Sequence, residues 1–254
     1  MYSSLKPVLI SILITMMVSC ASPPKPKTLT PQEQIEVDTV RARDLTGEFM
    51  DRVVFRSWSR AELYFLRIAE SLSKEVQEFP LQSLRIRVHV AQAPAGEGSY
   101  AFPGSLISLP DTWVRRVDYE NELAAVIAYQ MAHLVRRSLA IHVEEQALHA
   151  VPIPPVLFGS GSVFEFHREE RASAIRLAVK MLYRAGYDTR GMASIFQRTP
   201  GLFGNPDSAS VKKEVDFNIK EAQRAASELL PAIKPVVRSP EFIRFKRELE
   251  RVKS

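Results

Sequence analysis

Two stretches of this 254-residue chain carry side chains at spacings that could do chemistry. The first is Glu122 to Ser138, ELAAVIAYQMAHLVRRS, in which His133 lies one helical turn after Tyr129 and Gln130 stands between them. Two histidines at that separation on one helix face can hold one metal ion, and a glutamate following the first can activate the metal-bound water. Here only the second histidine is present. A glutamine at position 130 accepts and donates hydrogen bonds but takes no proton from water near neutral pH, which removes a factor of roughly 100 to 10,000 that a general base supplies. Taken alone, His133 is a hydrogen-bonded histidine on a helix face. The second stretch is FEFHREERASAIRLAVKMLYRAGYD, where His167 precedes Arg171 by one turn on nearly the same face. A rewired metal site would join His133 to His167, with His142, His149, Glu169 or Glu170 as recruits. Catalytic zinc needs three protein ligands and an open position, so the leading expectation is no cofactor and zinc is the alternative.

The elements that must position these residues follow from periodicity. In the first stretch Glu120 and Glu122 suit an opening helical turn, and Leu123, Ile127, Met131 and Leu134 form a core stripe. In the second, Ala174, Leu177, Ala178, Met181, Leu182 and Ala185 share one face, and Gly186 stands where a C-terminal cap belongs. Upstream, residues 33 to about 78 have apolar positions at helical spacing, including Val53, Phe55, Leu63, Leu66, Ile68 and Leu72, which predicts one long or two shorter helices. LRIRVHVAQ, residues 84 to 92, alternates as a half-buried strand. SYAFPGSLISL, residues 99 to 109, supplies two more short strands around Pro103-Gly104, and two helices near 208 to 230 and 240 to 252 close the chain.

Three of these segments, in order, resemble metallopeptidase family 48, the gluzincins that include the heat-shock membrane protease HtpX and the CAAX prenyl proteases. ELAAVIAYQMAHLVRRS is similar to that family's ELAAVLAHEIAHVLARH-type helix. SYAFPGSLISL resembles its NAFALPGGYIFV-type edge strand, and RASAIRLAVKMLYRAGYDTRGM its E-x-x-A-D-x-x-A helix with the third ligand. The resemblance spans roughly residues 84 to 198 and implies an α+β, zincin-like domain, mostly helical with a small antiparallel sheet. It also implies a substrate or partner cleft beside Tyr100, Ala101, Phe102, Pro103 and Gly104. Carried over position by position, Tyr129 stands for the first histidine ligand, Gln130 for the general base, Arg171 for the third-ligand glutamate and Ile175 for the orienting aspartate, while His133 alone is kept. A guanidinium stays protonated and repels a dication, so Arg171 opposes a metal. The phenol of Tyr129 is expected beside Arg171, filling the space a metal would take.

The N-terminus suggests where such a protein works. Lys6, an apolar run from Pro7 to Val18 and then Ser19-Cys20 have the pattern of an export signal, and Met17-Val18-Ser19-Cys20 resembles a bacterial lipobox. Residues 1–19 are expected to be a lipoprotein signal peptide. Cys20, the one cysteine of the chain, would carry acyl chains such as palmitate. The Pro-rich stretch to residue 32 would be a tether, and 33–254 one domain. Ala21 and Ser22 are not the aspartate of inner-membrane retention, which favours the outer membrane facing the periplasm. The net charge of +5 and pI near 9.3 do not indicate nucleic acid, because Lys and Arg alternate with Glu and Asp along helical segments such as VKKEVDFNIKEAQRAASELL. The functional expectation is a lipid-anchored, catalytically inactive pseudopeptidase that binds envelope proteins, assembly partners or an extended peptide. The alternative is a zinc endopeptidase with rearranged ligands, serving periplasmic proteolysis or quality control.

Overall fold

The computed structural model describes residues 29–41, 43–56, 58–74, 86–92, 98–103, 106–137, 168–198 and 209–251. Cys20, Gly104, His142, His149 and His167 lie outside these residues. The chain divides into two units, Met1–Thr30 and Pro31–Ser254, and the elements below belong to the second. They run α1 (Pro31–Arg41), α2 (Arg43–Arg52), β1 (Val54–Arg56), α3 (Ser59–Ser73), β2 (Arg87–Gln92), β3 (Tyr100–Phe102), β4 (Leu106–Pro110), α4 (Asp111–Arg116), α5 (Glu120–Val135), α6 (Arg168–Arg184), α7 (Arg190–Arg198), α8 (Ala209–Ser227) and α9 (Pro240–Arg251). The architecture is α+β, mostly helical with one small sheet. No helix among the described residues is long and apolar enough to cross a membrane.

The sheet order is β1-β2-β4-β3. It is mixed rather than antiparallel: β1 pairs β2 and β3 pairs β4 antiparallel, but β2 and β4 run parallel, with Val88 opposite Ile107 and Val90 opposite Leu109. The cause is the order of insertion. The chain reverses into β3 and again into β4, and β4 then slots between β3 and β2, so it regains the direction of β2. Strand β4 is buried at every position, as a strand covered on both faces must be. On one face Ile107 and Leu109 join the main core with Phe65, Ile68 and Leu72 of α3 and the length of α5. On the other, Leu106 and Phe102 meet Phe49 of α2 in a second, smaller core.

Two expectations for the N-terminal half are corrected. Residues 53 to 56 do not continue a helix; the β-branched and aromatic run Val53-Val54-Phe55 gives way to strand β1, which finds its hydrogen-bond partners in β2. And α1 begins at Pro31, two residues inside the stretch expected as a tether, because proline suits a first helical turn where its missing N–H costs nothing. Further along, α6 ends where Gly186 was expected to cap it. Gly186 takes φ +80°, its N–H donates to the Tyr183 carbonyl at 3.1 Å and that of Tyr187 to the Leu182 carbonyl at 2.9 Å, which together close a Schellman motif. The chain then starts α7, a separate helix absent from the sequence-level expectation. Asp188 initiates it by accepting the Arg190 backbone N–H at 2.9 Å.

Helix α5 is the axis of the fold. All its residues except Leu134 are buried, with α3, α6, α7 and the β3–β4 hairpin around it. The expected stripe Leu123, Ile127 and Met131 is there, but it is part of a helix buried all round.

Candidate functional site on the buried helix

Because α5 is enclosed, each of its polar side chains must find a partner inside the protein. Gln130 does so at β3: its amide Nε2 donates to the Ser99 carbonyl at 3.1 Å and to the Ser99 hydroxyl at 2.8 Å. Gln130 therefore ties the helix to the residue just before the edge strand. A glutamine can do this and a carboxylate cannot, since only the amide has N–H groups to give.

Next to it on the helix, the Tyr129 ring stands edge-on to the imidazole of His133 one turn later, centroids 4.5 Å apart at 84°, and edge-on to Phe196 of α7 at 5.7 Å. Both side chains are buried. Arg171 reaches them from α6, close enough for its charge to act on both. Burial pushes the Tyr129 phenol well above its ordinary value, with Arg171 opposing, so the tyrosine stays protonated. Burial first, and then the charge of Arg171, pull His133 down from 6.5 to about 3, so the imidazole is neutral at physiological pH.

The Arg171 side chain is 14% exposed and its guanidinium pairs with Glu214 of α8. Arg168, one turn earlier, grips the same carboxylate through Nε and Nη2 at 3.0 and 2.7 Å. Hydrogen bonds from Arg168, and then the charge of Arg171, hold Glu214 below the usual carboxylate range against the opposing cost of burial. Ile175, at the orienting-aspartate position, is fully buried apolar core. The cluster thus contains one neutral imidazole, one protonated phenol, one amide and a cation with its counter-ion on a third helix.

These residues do not fit a zinc ion. A dication beside His133 would face the Arg171 guanidinium, and the Tyr129 phenol offers an oxygen only after losing a proton that burial holds tightly. Among the described residues no group of three His, Cys, Asp or Glu side chains could hold a metal. Glu169 is exposed and Glu170 half-buried at the start of α6.

At the expected cleft, the alternation of β3 separates the side chains. Ala101 packs on the main core, whereas Phe102 is wholly buried against Phe49, centroids 4.8 Å apart, with Tyr100 in the same aromatic cluster at 5.6 Å. Phe102 is a core residue of the second cluster, so its side chain lines no cleft; Tyr100 and Pro103 are half-buried. Sequence reasoning missed Glu214, Arg168 and Ser99. Glu214 falls in the helical stretch whose alternating charges predict a solvated face, and nothing in its spacing announces a partner 43 residues away.

The fold is α+β, and its buried central helix carries Tyr129, Gln130 and His133 in a cluster closed by Arg171 and Glu214. The chain is similar to the beta-barrel assembly-enhancing protease of Yersinia pestis, 23% identical over 160 residues, which cover 52% of this chain and 33% of that protein. It is also 28% identical over 123 residues to a Vibrio cholerae protein that bears the same name as a provisional assignment, covering 39% of this chain and 25% of that one. The chain therefore matches a quarter to a third of the length of these relatives. No protein-family profile matches it.

Proposed function

We propose that this chain is a lipid-anchored protein of the bacterial envelope with the fold of metallopeptidase family 48. In this reading its hydrolytic centre has been replaced by a structural cluster, and it acts by binding envelope proteins. The observation that carries the reading is Arg171. A permanent cation stands where the third metal ligand belongs, beside the single histidine kept, and it has its own counter-ion in Glu214. Losing a ligand would leave a gap; acquiring a cation with a matched carboxylate on another helix is a replacement. Tyr129, Gln130, His133, Arg171 and Ile175 then serve packing and hydrogen bonding rather than catalysis. The names of the relatives suggest the setting, assembly of β-barrel proteins, in which the partner would be an unfolded or partly folded barrel chain presenting extended segments near Tyr100–Gly104. Lipidation of Cys20 would hold the domain at the membrane, in the outer membrane facing the periplasm.

The word protease in both names favours one second reading, a zinc endopeptidase with ligands rearranged around His133 and His167. Elemental analysis of protein purified without chelator separates the two. The pseudopeptidase reading expects no bound zinc and no chelator-sensitive cleavage of a broad peptide library. About one zinc per chain, lost on His133→Ala, would overturn it. Anchoring is tested separately, since Cys20→Ala should release the chain from membranes or stall its processing.

A further inference from the structure

The turn between α8 and α9 carries the two most exposed large apolar side chains among the described residues, Leu230 at 79% and Ile233 at 93%. A single apolar residue on a surface is ordinary. Here two lie three residues apart in LLPAIKP, and every residue from Leu230 to Lys234 is exposed. The segment is nevertheless held in place. Pro231 and Pro235 fix φ on either side of Ala232, Ile233 and Lys234, and Lys234 itself is in the left-handed region at φ 55°. Leu229 packs on the main core just before the turn. Just after it, the Val236 N–H donates to the Gly186 carbonyl at 2.8 Å and the Val236 carbonyl accepts from the Asp188 N–H at 3.0 Å, a parallel bridge to the segment that starts α7. The result is a braced tip with two aliphatic side chains outermost.

Charge lies beside the apolar tip. Lys234 is on it, and Arg238 follows with its guanidinium over the exposed Tyr119 ring at 4.5 Å. The acidic side chains nearby are ion-paired: Glu228 with Arg224 at 3.5 Å, Glu241 with Arg67, and Asp118, whose carbonyl accepts from Arg238 Nε at 2.8 Å, with Arg198. A protein-binding hot spot is typically an aromatic or arginine anchor seated in a pocket. A convex aliphatic tip flanked by cations instead matches a surface that dips into a bilayer, where the apolar atoms enter the headgroup boundary and the cations meet phosphate.

We propose that the Leu230–Lys234 turn is a membrane contact, with Leu230 and Ile233 entering the headgroup–acyl boundary of an anionic bilayer and Lys234 and Arg238 facing lipid phosphates. The inference rests on the lipid-anchor part of the reading above, because an extended chain from residue 20 to 30 spans at most about 40 Å and so keeps the domain near the surface. Two-point attachment then fixes an orientation that a tether alone leaves open.

The test uses the full chain with Cys20→Ala, so that an introduced cysteine is the one thiol. An environment-sensitive fluorophore is placed at Ile233→Cys and, as a reference, at the exposed Glu70→Cys on α3. The probes are vesicles of phosphatidylethanolamine with phosphatidylglycerol, vesicles of phosphatidylcholine alone, and native envelope membranes. The expected result is a blue shift at position 233 and none at 70, larger with phosphatidylglycerol than with phosphatidylcholine and reduced by Lys234→Glu or by salt. No shift at 233, whether or not the chain cosediments with vesicles, overturns the proposal, as does an equal shift at both positions. A shift at 233 with native membranes but not with pure lipid also overturns it and assigns the turn to a protein partner. Both sites are exposed, so neither label disturbs the core. If Cys20→Ala releases the protein from cell membranes while position 233 stays silent, the anchor stands and the turn contact falls. If the chain stays on membranes without Cys20 and 233 shifts, the turn contact stands, and the anchor is judged by whether Cys20→Ala stalls processing of the chain.

Discussion

The two ends of α5 bury polar groups in equal measure and for different reasons. At its N-terminus, Glu120 accepts the Ser239 backbone N–H at 2.6 Å, the Asn121 amide donates to the Asp188 carbonyl at 3.2 Å, and Glu122 accepts from the Ser194 hydroxyl and from Arg198 at 2.8 Å. These contacts lock the start of the helix to α7 and to the segment before α9. Toward the C-terminus, Tyr129, Gln130 and His133 occupy positions where the resemblance puts chemistry, and their environment has been made neutral or hydrogen-bonded by Ser99, Phe196 and the Arg171–Glu214 pair. The difference teaches that burial of a polar residue is not by itself a sign of function. What separates the two ends is their chemistry: carboxylates and an amide bound to α7 and the segment before α9 at one, and an amide tied to Ser99 beside a neutral ring pair at the other.

The largest effect expected is at the N-terminal end. A Cβ on Gly191 would lie 2.4 Å from the Asn121 carbonyl oxygen, a backbone atom that cannot move aside without shifting a helix. Gly191→Ala should cost about 3 kcal/mol in denaturant unfolding, and a loss below about 0.5 kcal/mol would mean that α5 and α7 are not locked there. At the other end, Glu214→Ala removes the carboxylate that Arg171 shares with Arg168. A loss of about 2 to 3 kcal/mol is expected, short of the figure for a fully buried pair because Glu214 keeps some exposure. Replacing Arg171 and Glu214 together by Met and Leu should restore most of it. Failure of that double variant to recover would show that the pair does more than fill space.

Gln130→Glu sharpens the contrast further. It restores the residue of an active centre, yet it sets a carboxylate against the Ser99 carbonyl and removes two donated hydrogen bonds. A loss of about 2 kcal/mol at neutral pH is expected, smaller in acid as the carboxyl protonates, with no gain of peptidase activity. Measurable hydrolysis by this variant would break the pseudopeptidase reading. The smallest effect is on pH dependence. His133 titrates near 3 in the folded chain and near 6.5 unfolded, so between those values the unfolded state binds more protons. Stability should therefore fall as pH drops from 6.5 toward 3, by at most about 1.4 kcal/mol per pH unit from this group. The lowered carboxyls of Asp188 and Glu214 add losses of the same sign in the acid part of that window. A His133→Gln chain measured across the range should show a shallower slope, and an unchanged slope would mean that the imidazole is not buried neutral.

The α+β class came from the resemblance, while strand β2, the two short strands β3 and β4, the helical faces of α5 and α6 and the Gly186 cap were legible along the chain. These elements rest on local periodicity or on the φ that one residue type tolerates, which neighbours along the chain decide. The resemblance also marks 129, 130 and 171 as positions where this chain departs from the family's pattern, because residue identity needs no coordinates. What these side chains touch follows only from the assembled fold. That Gln130 reaches Ser99, that Arg171 is answered by Glu214, and that Phe102 turns away from α5 toward Phe49 depend on which distant segments fold against one another. The parallel pairing of β2 with β4 is of the same kind, since no residue in either strand records its neighbour's direction. Local rules act over a few residues, whereas a buried cation finds its carboxylate only when three helices have assembled around it.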